Sequence, residues 1–558
     1  MHIINLILGL LATAHLAHGN QKVLGQGAGL TLKIEPVNVS IRNRFANSTL
    51  FGVFNIGQVR DLLNGTSHRL LDIEETGSRN PFCAGTAKLG DDSSSTGFRA
   101  TVADYTNGRT IHVSGDAFEP ASYFTAAESN IQPHPSLDEI AEAAAIAGFS
   151  ANAIAYATMP PIIETQLPNG TSHRVLNIIA REPHDDRFTP LHVNMFNRTA
   201  TKAPVANQNT APTCDAPNDA GAPVTPRGTP GTVRVTILAG ATTLWTLEVV
   251  RPSVSSGSAG SGVELRYVYY KGKKVLHRAH VPILNVEYKE PAASCGPTYR
   301  DWQNDETAFT CAAPADVAGA PGFRVCSSPS RTIVDPPYQD GGNFNGVSFY
   351  VDAAAGGEVV IRSQLRAGWY RYTSEWRLAA DGTMRPRFGF GGVLLQYNAC
   401  VCVKHHHHAY WRLDFDIDTP TGNLVREYNN PPIFAGTNYH DKAFEIQRPR
   451  DATRKRHWEV SNIATGAGYA LIPGASDGAA DAYGVGDVWV LRYHPDELDD
   501  GVVPDTREHL EKYLTGEPLK GMDVVLWYAA HFLHDEAHAG NVAGGHVVGP
   551  DLKPFGSW

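Results

Sequence analysis

The 558-residue sequence predicts a mainly β protein, a large antiparallel β-sandwich preceded by two small α/β domains. Three observations carry this. From about Val233 onward, short β-rich runs such as VRVTIL, VELRYVYY, GGEVVIRSQL, WRLDFDID and DVWVLRYH are separated by Gly, Asp and Pro turns, the pattern of paired sheets that share a core. Ahead of them one motif occurs twice, LLNGTSHRLLDI near residues 62–73 and LPNGTSHRVLNI near 167–178, each a turn followed by an alternating apolar strand. Between the two regions, residues 203–232 are so dense in Pro, Ala, Thr, Asn and Gly that they read as a linker.

The elements follow in order. Residues 1–19 have an apolar centre from Ile3 to Ala12 and then small residues, which reads as a secretory signal although only His2 stands where Lys or Arg is usual. Residues 20–130 form the first α/β domain and 131–202 the second, which opens on HPSLDEIAEAAAIAG. There Ser136 is placed to cap a helix and Glu139 occupies the capping-box position. The linker spans 203–232 and the sandwich 233–558. Glycosylation sequons beginning at Asn38, Asn47, Asn64, Asn169 and Asn197 agree with secretion. Seven cysteines are too few for a disulfide-built scaffold, so the expectation is one pair, Cys311 with Cys326, and buried structural thiols at Cys400 and Cys402.

Composition excludes several classes. A chain that is 42% hydrophobic and 19% charged is not dominated by disorder. A formal charge of −10 gives no basic footprint for nucleic acid. Beyond the leader no segment reaches ~18 uninterrupted apolar residues, so no membrane span is expected in the mature form. GQGAG near residue 25 and GFGG near 389 lack the following helix that a phosphate-cradling loop requires.

Chemistry concentrates in VKHHHHAYWRLDFDID, residues 403–418. A strand places alternate side chains on one face, so His405 and His407 project with Trp411, Leu413, Phe415 and Ile417, whereas Asp414, Asp416 and Asp418 face the other way. Burying imidazoles in an apolar layer is costly unless something such as a metal ion partners them. A solvated histidine-rich loop is the alternative.

HHHHAYWRLDFDID together with DVVLWYAAHFLH (523–534) resembles the copper-binding part of copper amine oxidases. The likeness covers residues 233–558, and the leading repeats are similar to that family's small N-terminal domains. The resemblance implies copper on His405, His407 and His534, and leaves His406 and His408 on the opposite face without a primary role. Three imidazoles with open positions suit Cu(II) and leave room for water or dioxygen. The family's peripheral site falls on Asp414, Asp416 and Asp523 with the main-chain oxygens of Phe415 and Val524, a hard-oxygen set suited to calcium; a solvated acidic strand is the alternative.

NVEYKEPAASCGPTYRDWQ resembles the family segment that carries the catalytic base, implying that role for Asp301. Tyr288, one residue out of the usual spacing, would hydrogen-bond the cofactor, and Tyr299 would stand as the gate. In AGWYRYTSEWRL Tyr370 takes the place of the tyrosine that the family oxidises to topaquinone. Trp369 stands where asparagine is expected and Arg371 replaces an acidic residue. The implied function is secreted, copper- and topaquinone-dependent oxidation of a small primary amine by dioxygen. A homodimer that exchanges arms is implied too, although this chain reads as shorter than typical members, with trimmed loops between His407 and Asp523. Two alternatives stay open, a copper enzyme of this fold without the quinone, acting in a specialised biosynthetic pathway, and a non-catalytic copper glycoprotein.

Overall fold

The computed structural model describes residues 23–558 except 38–56, 78–96, 117–123, 183–188, 203–230, 288–297, 393–403, 503–509, 536–545 and breaks of five residues or fewer. Two large sheets dominate. One has eleven strands and contains, side by side, Glu264–Tyr270, Lys273–Glu287, the histidine strand His405–Phe415, the closing strand Val524–His534 and Val488–Arg492. The other has twelve and is centred on Glu358–Ala367, the tyrosine strand Tyr370–Ala379 and Met384–Gly391. Neighbours in this second sheet run antiparallel except Phe323–Val325 beside Val347–Asp352.

The sheets pack face to face as a sandwich. Trp411, Leu413 and Phe415 of the histidine strand share one core with Trp376, Phe388 and Tyr372 of the facing sheet, and the Trp376 indole donates to Val263 O at 2.9 Å across the gap. The alternation of the histidine strand therefore faces as its sequence predicts. Its other side is covered as well, since Tyr410 packs with Ile283, Trp489, Leu491, Leu510 and Trp527 in a second apolar cluster. Asp414 and Asp416 are fully buried, which corrects the alternative of a solvated acidic strand.

Residues 23–36, grouped by sequence with the first small domain, run as Val23–Gly27 and Leu30–Pro36 at one end of the eleven-stranded sheet. Leu30–Pro36 pairs with Thr232–Ala239, a junction of distant segments that a local pattern does not disclose. Beyond them lie two four-stranded antiparallel meanders, His68 to Ser129 and Ile154 to Lys202. The repeated NGTSH motif occupies different places in them. It follows a helix and opens the sheet in the first, and it sits between the first two strands of the second.

The repeat arginines nevertheless converge on one helix, Leu137–Ile146. Arg69 pairs with Glu142. Arg174 grips Glu139 at 2.7 and 2.9 Å, and Tyr105 of the first meander donates to the same carboxylate at 3.0 Å. Glu139 is thus a buried anchor between the two leading meanders, and its expected capping-box partner, Ser136, lies outside the described residues. Cys311 and Cys326 form the expected disulfide within a cluster of Phe309, Phe344, Tyr350 and Val360. Cys400, Cys402 and the leader lie outside the described residues.

Candidate metal and active site

Strand register assembles the site. His405 is directly opposite His534, and His407 opposite Phe532. On the other flank His407 is opposite Val286 of Lys273–Glu287, whose end pairs with the short strand Thr298–Arg300. Asp301 follows that strand and donates its amide to Leu284 O at 2.8 Å. Residues more than a hundred positions apart are therefore brought together by hydrogen-bonded pairing alone.

From the facing sheet, the buried Tyr370 ring lies 6.1, 5.5 and 5.5 Å from the rings of His405, His407 and His534. Its hydroxyl is 3.2 Å from His405 Nε2. Phe390 flanks Tyr370, His407 and His534 at 5.2, 4.5 and 4.6 Å, and Phe532 lies parallel to His407 at 4.9 Å. The three imidazoles thus sit in an apolar, aromatic enclosure.

Hydrogen bonding fixes where the lone pairs point. His534 Nε2 faces Gly392 O at 3.1 Å, so it carries the proton and leaves the lone pair on Nδ1, 3.2 Å from His405 Nε2. The single Tyr372 hydroxyl proton goes to Asp301 Oδ2. That hydroxyl therefore accepts from His407 Nδ1–H at 2.9 Å, which leaves the lone pair on His407 Nε2. This nitrogen is buried and has no hydrogen-bond partner among the described residues. Burial, followed by the neighbouring His405 and His534, holds His407 well below the usual imidazole range, so it stays neutral as a metal ligand must.

One donor atom from each of His405, His407 and His534 lies within 4.8 Å of the others. Three imidazole nitrogens, two of them on rings held by outer hydrogen bonds to a carbonyl and a phenol, match the donor set of a Cu(II) or Zn(II) centre. The residues present fit such an ion, which would partner the otherwise unsatisfied His407 Nε2.

Asp301 is 1% exposed. Burial pushes its carboxyl up to about 7, against the opposing hydrogen bond from Tyr372. Its second oxygen, Oδ1, has no partner among the described residues, so it is able to receive a proton from a bound molecule. Burial and then the Asp301 charge raise the Tyr372 phenol well above its ordinary range, which keeps it a donor. Asp301, Tyr372 and His407 form one chain from the candidate base to the metal ligand.

Other expectations meet the structure unevenly. Tyr299 lies on Thr298–Arg300 opposite Val286, whereas Tyr288 and Trp369 lie outside the described residues. Arg371, fully buried, donates to Asp340 Oδ2 at 2.9 Å and to Tyr370 O at 3.2 Å. Its charge is thereby matched by a carboxylate that is itself buried. Asp414, Asp416 and Asp523 converge, with one oxygen of each within 4.8 Å of the others. Lys274 Nζ already contacts Asp416 at 2.7 Å, a cation in the cluster that the sequence did not announce.

Two participants were missed in the sequence. Tyr372 lies two residues beyond Tyr370 on the same strand, so alternation alone puts both on one face. The Gly392 carbonyl that sets the His534 tautomer carries no such signal.

No family model and no curated protein matches the sequence. Solved structures do match. A copper-containing benzylamine oxidase from Hansenula polymorpha superposes with a TM-score of 0.57 at 12% identity, over 88% of this chain and 94% of that one. Pichia pastoris lysyl oxidase gives 0.53 at 12% identity, over 96% and 92%. The chain has the copper amine oxidase fold. In this chain the tyrosine strand faces the histidine strand across the sandwich, and the Tyr370 ring lies against His405, His407 and His534.

Proposed function

We propose that this chain is a copper-dependent primary-amine oxidase, converting an amine, water and dioxygen into an aldehyde, ammonia and hydrogen peroxide. The observation that carries the reading is the convergence of three imidazole nitrogens, one each from His405, His407 and His534, beside the Tyr370 hydroxyl. Copper and a topaquinone derived from Tyr370 would supply the redox chemistry, taking electrons from the amine and returning them to dioxygen.

The chain's own residues have defined tasks. His405 Nε2, His407 Nε2 and His534 Nδ1 would hold the copper. Asp301 Oδ1 accepts the proton from the carbon next to the amine nitrogen, at a carboxyl tuned near neutrality, where a general base works best. Tyr372 holds the other Asp301 oxygen, orienting the base and His407 together. Phe390 and Phe532 exclude water from the ligands, and Tyr299, two residues before Asp301 in the sequence, would take the gate role that the family resemblance implies.

The acidic cluster is proposed as a calcium site whose ion displaces Lys274 from Asp416. Secretion is supported by the Cys311–Cys326 disulfide and by the exposed turn positions of Asn64 and Asn197, since disulfides persist in oxidising compartments. A second reading, copper without the quinone, is favoured by Arg371, which holds the Tyr370 carbonyl where the family resemblance puts an acidic side chain.

One experiment separates them. Aerated, copper-loaded protein is digested and the Tyr370 peptide weighed, with peroxide release measured on added primary amines. A modified, hydrazine-reactive peptide and peroxide are expected. An unmodified peptide with full copper occupancy would leave the second reading.

A further inference from the structure

The back of the histidine strand, the face turned away from Tyr370, leaves three buried N–H groups unsatisfied in one row. Arg412 lies directly opposite Trp527 on the closing strand Val524–His534, and Trp527 lies directly opposite Trp489 on Val488–Arg492. Directly opposed residues of an antiparallel sheet share a face, with Cβ atoms about 4.5–5.5 Å apart. All three side chains are fully buried. Arg412 Nε, Trp527 Nε1 and Trp489 Nε1 nevertheless have no hydrogen-bond partner among the described residues.

The chemistry of these groups is independent of tautomer and of ordinary pH. An indole N–H and a guanidinium N–H only donate, so each lacks an acceptor that no rotation or proton shift within the row can supply. Their surroundings are apolar. Trp489 and Trp527 pack with Tyr410, Ile283, Leu491 and Leu510 in one cluster, and Tyr493 lies against it. The Arg412 guanidinium stands over the Tyr493 ring at 5.4 Å and directs Nη2 to His494 O at 3.2 Å. The carboxylate beside it, Asp414 Oδ2, is 3.9 Å from Nη1, beyond hydrogen-bond range. A water molecule satisfies buried donors when its own two protons also find acceptors, and this row contains donors alone. An anion accepts from each of them, brings no proton to place, and balances the guanidinium charge in a low-dielectric interior.

We propose that the back of the histidine strand binds a small monovalent anion of the chloride class, held by Arg412 Nε and Trp527 Nε1, with Trp489 Nε1 closing the row. The ion joins the strand that carries His405 and His407 to the strand that ends in His534, on the face opposite those imidazoles. It thereby reinforces the pairing on which the front site is built. The proposal does not depend on copper, quinone or amine chemistry.

The test is bromide alone, replacing chloride throughout purification and crystallisation of the full-length protein, with anomalous scattering recorded at the bromine edge. A buried peak within hydrogen-bonding reach of Arg412 Nε and Trp527 Nε1 is expected in wild type. Trp527→Phe removes one donor and keeps an aromatic ring, and Arg412→Met removes the other together with its charge; each should abolish the peak. Density at the row without anomalous signal, the mark of an ordered water, overturns the proposal. So do bromide peaks confined to the surface, or a buried peak that both substitutions leave unchanged. If a variant fails to fold, the wild-type map decides the matter by the presence or absence of the buried peak.

Discussion

Replacing Asp301 with asparagine changes a single ionisation whose energetic effect the structure permits to be sized. The carboxyl is raised from an ordinary 3.8 to about 7 by burial. A gap of roughly three units at 1.36 kcal/mol each amounts to about 4 kcal/mol. The sign follows from the direction of the shift. A raised carboxyl binds its proton more tightly in the folded chain, so its contribution to stability is complete below about pH 4 and is lost as pH rises to about 7. Asp301→Asn cannot ionise and lacks that slope. Denaturant unfolding of metal-stripped wild type and variant, between pH 4 and 8, should therefore show the variant gaining on wild type by up to about 4 kcal/mol across this window, then levelling. The same substitution should lower kcat/KM for a primary amine about 10²–10⁴-fold, and wild-type kcat/KM should rise through about pH 7 as the base deprotonates. Parallel stability curves, or a wild-type activity profile flat through pH 7, would refute the assignment of a buried, neutral-tuned base.

Tyr372→Phe removes the hydroxyl that lowers Asp301, so the midpoint of the kcat/KM profile should move to higher pH, and loss of the outer hydrogen bond to His407 should weaken copper binding about 10–100-fold; competition with a chelator measures the second effect. Arg371→Ala leaves Asp340 buried and unmatched, which should cost about 3–5 kcal/mol in denaturant unfolding, with the Arg371→Ala, Asp340→Ala pair recovering part of it. Lys274→Ala removes the ammonium from Asp416 and should raise calcium affinity by about tenfold or more, read by calorimetry; unchanged affinity would mean that calcium does not enter the Asp414, Asp416 and Asp523 cluster. Glu139→Gln removes the charge gripped by Arg174 and contacted by Tyr105, and should make the leading meanders the first part of the chain to yield to limited proteolysis.

The parts of this site that were legible in the sequence are those governed by strand periodicity. Alternation is enough to turn His405 and His407 inward with Trp411 and Leu413, because a pleated strand leaves no other choice. The same rule places Tyr372 on the face of Tyr370, two residues further along the strand. His534 was reachable only through the family resemblance, since its pairing with His405 depends on register across a gap of 129 residues. Contacts that arise where loops meet strands were not legible at all. Asp340 reaches Arg371 from a turn without periodicity, Lys274 enters the acidic cluster from a neighbouring strand, and Gly392 contributes only a carbonyl. Arg174 and Tyr105 reaching the Glu139 carboxylate are likewise tertiary contacts that a local helix-start pattern does not disclose.

Copper-soaked crystals measured at the copper absorption edge give the most direct test of the central claim. An anomalous peak is expected at about 2.0–2.1 Å from His405 Nε2, His407 Nε2 and His534 Nδ1, with the residue 370 side chain against it. A copper peak bound through other nitrogens, or no peak among these three side chains in fully loaded protein, would contradict the account.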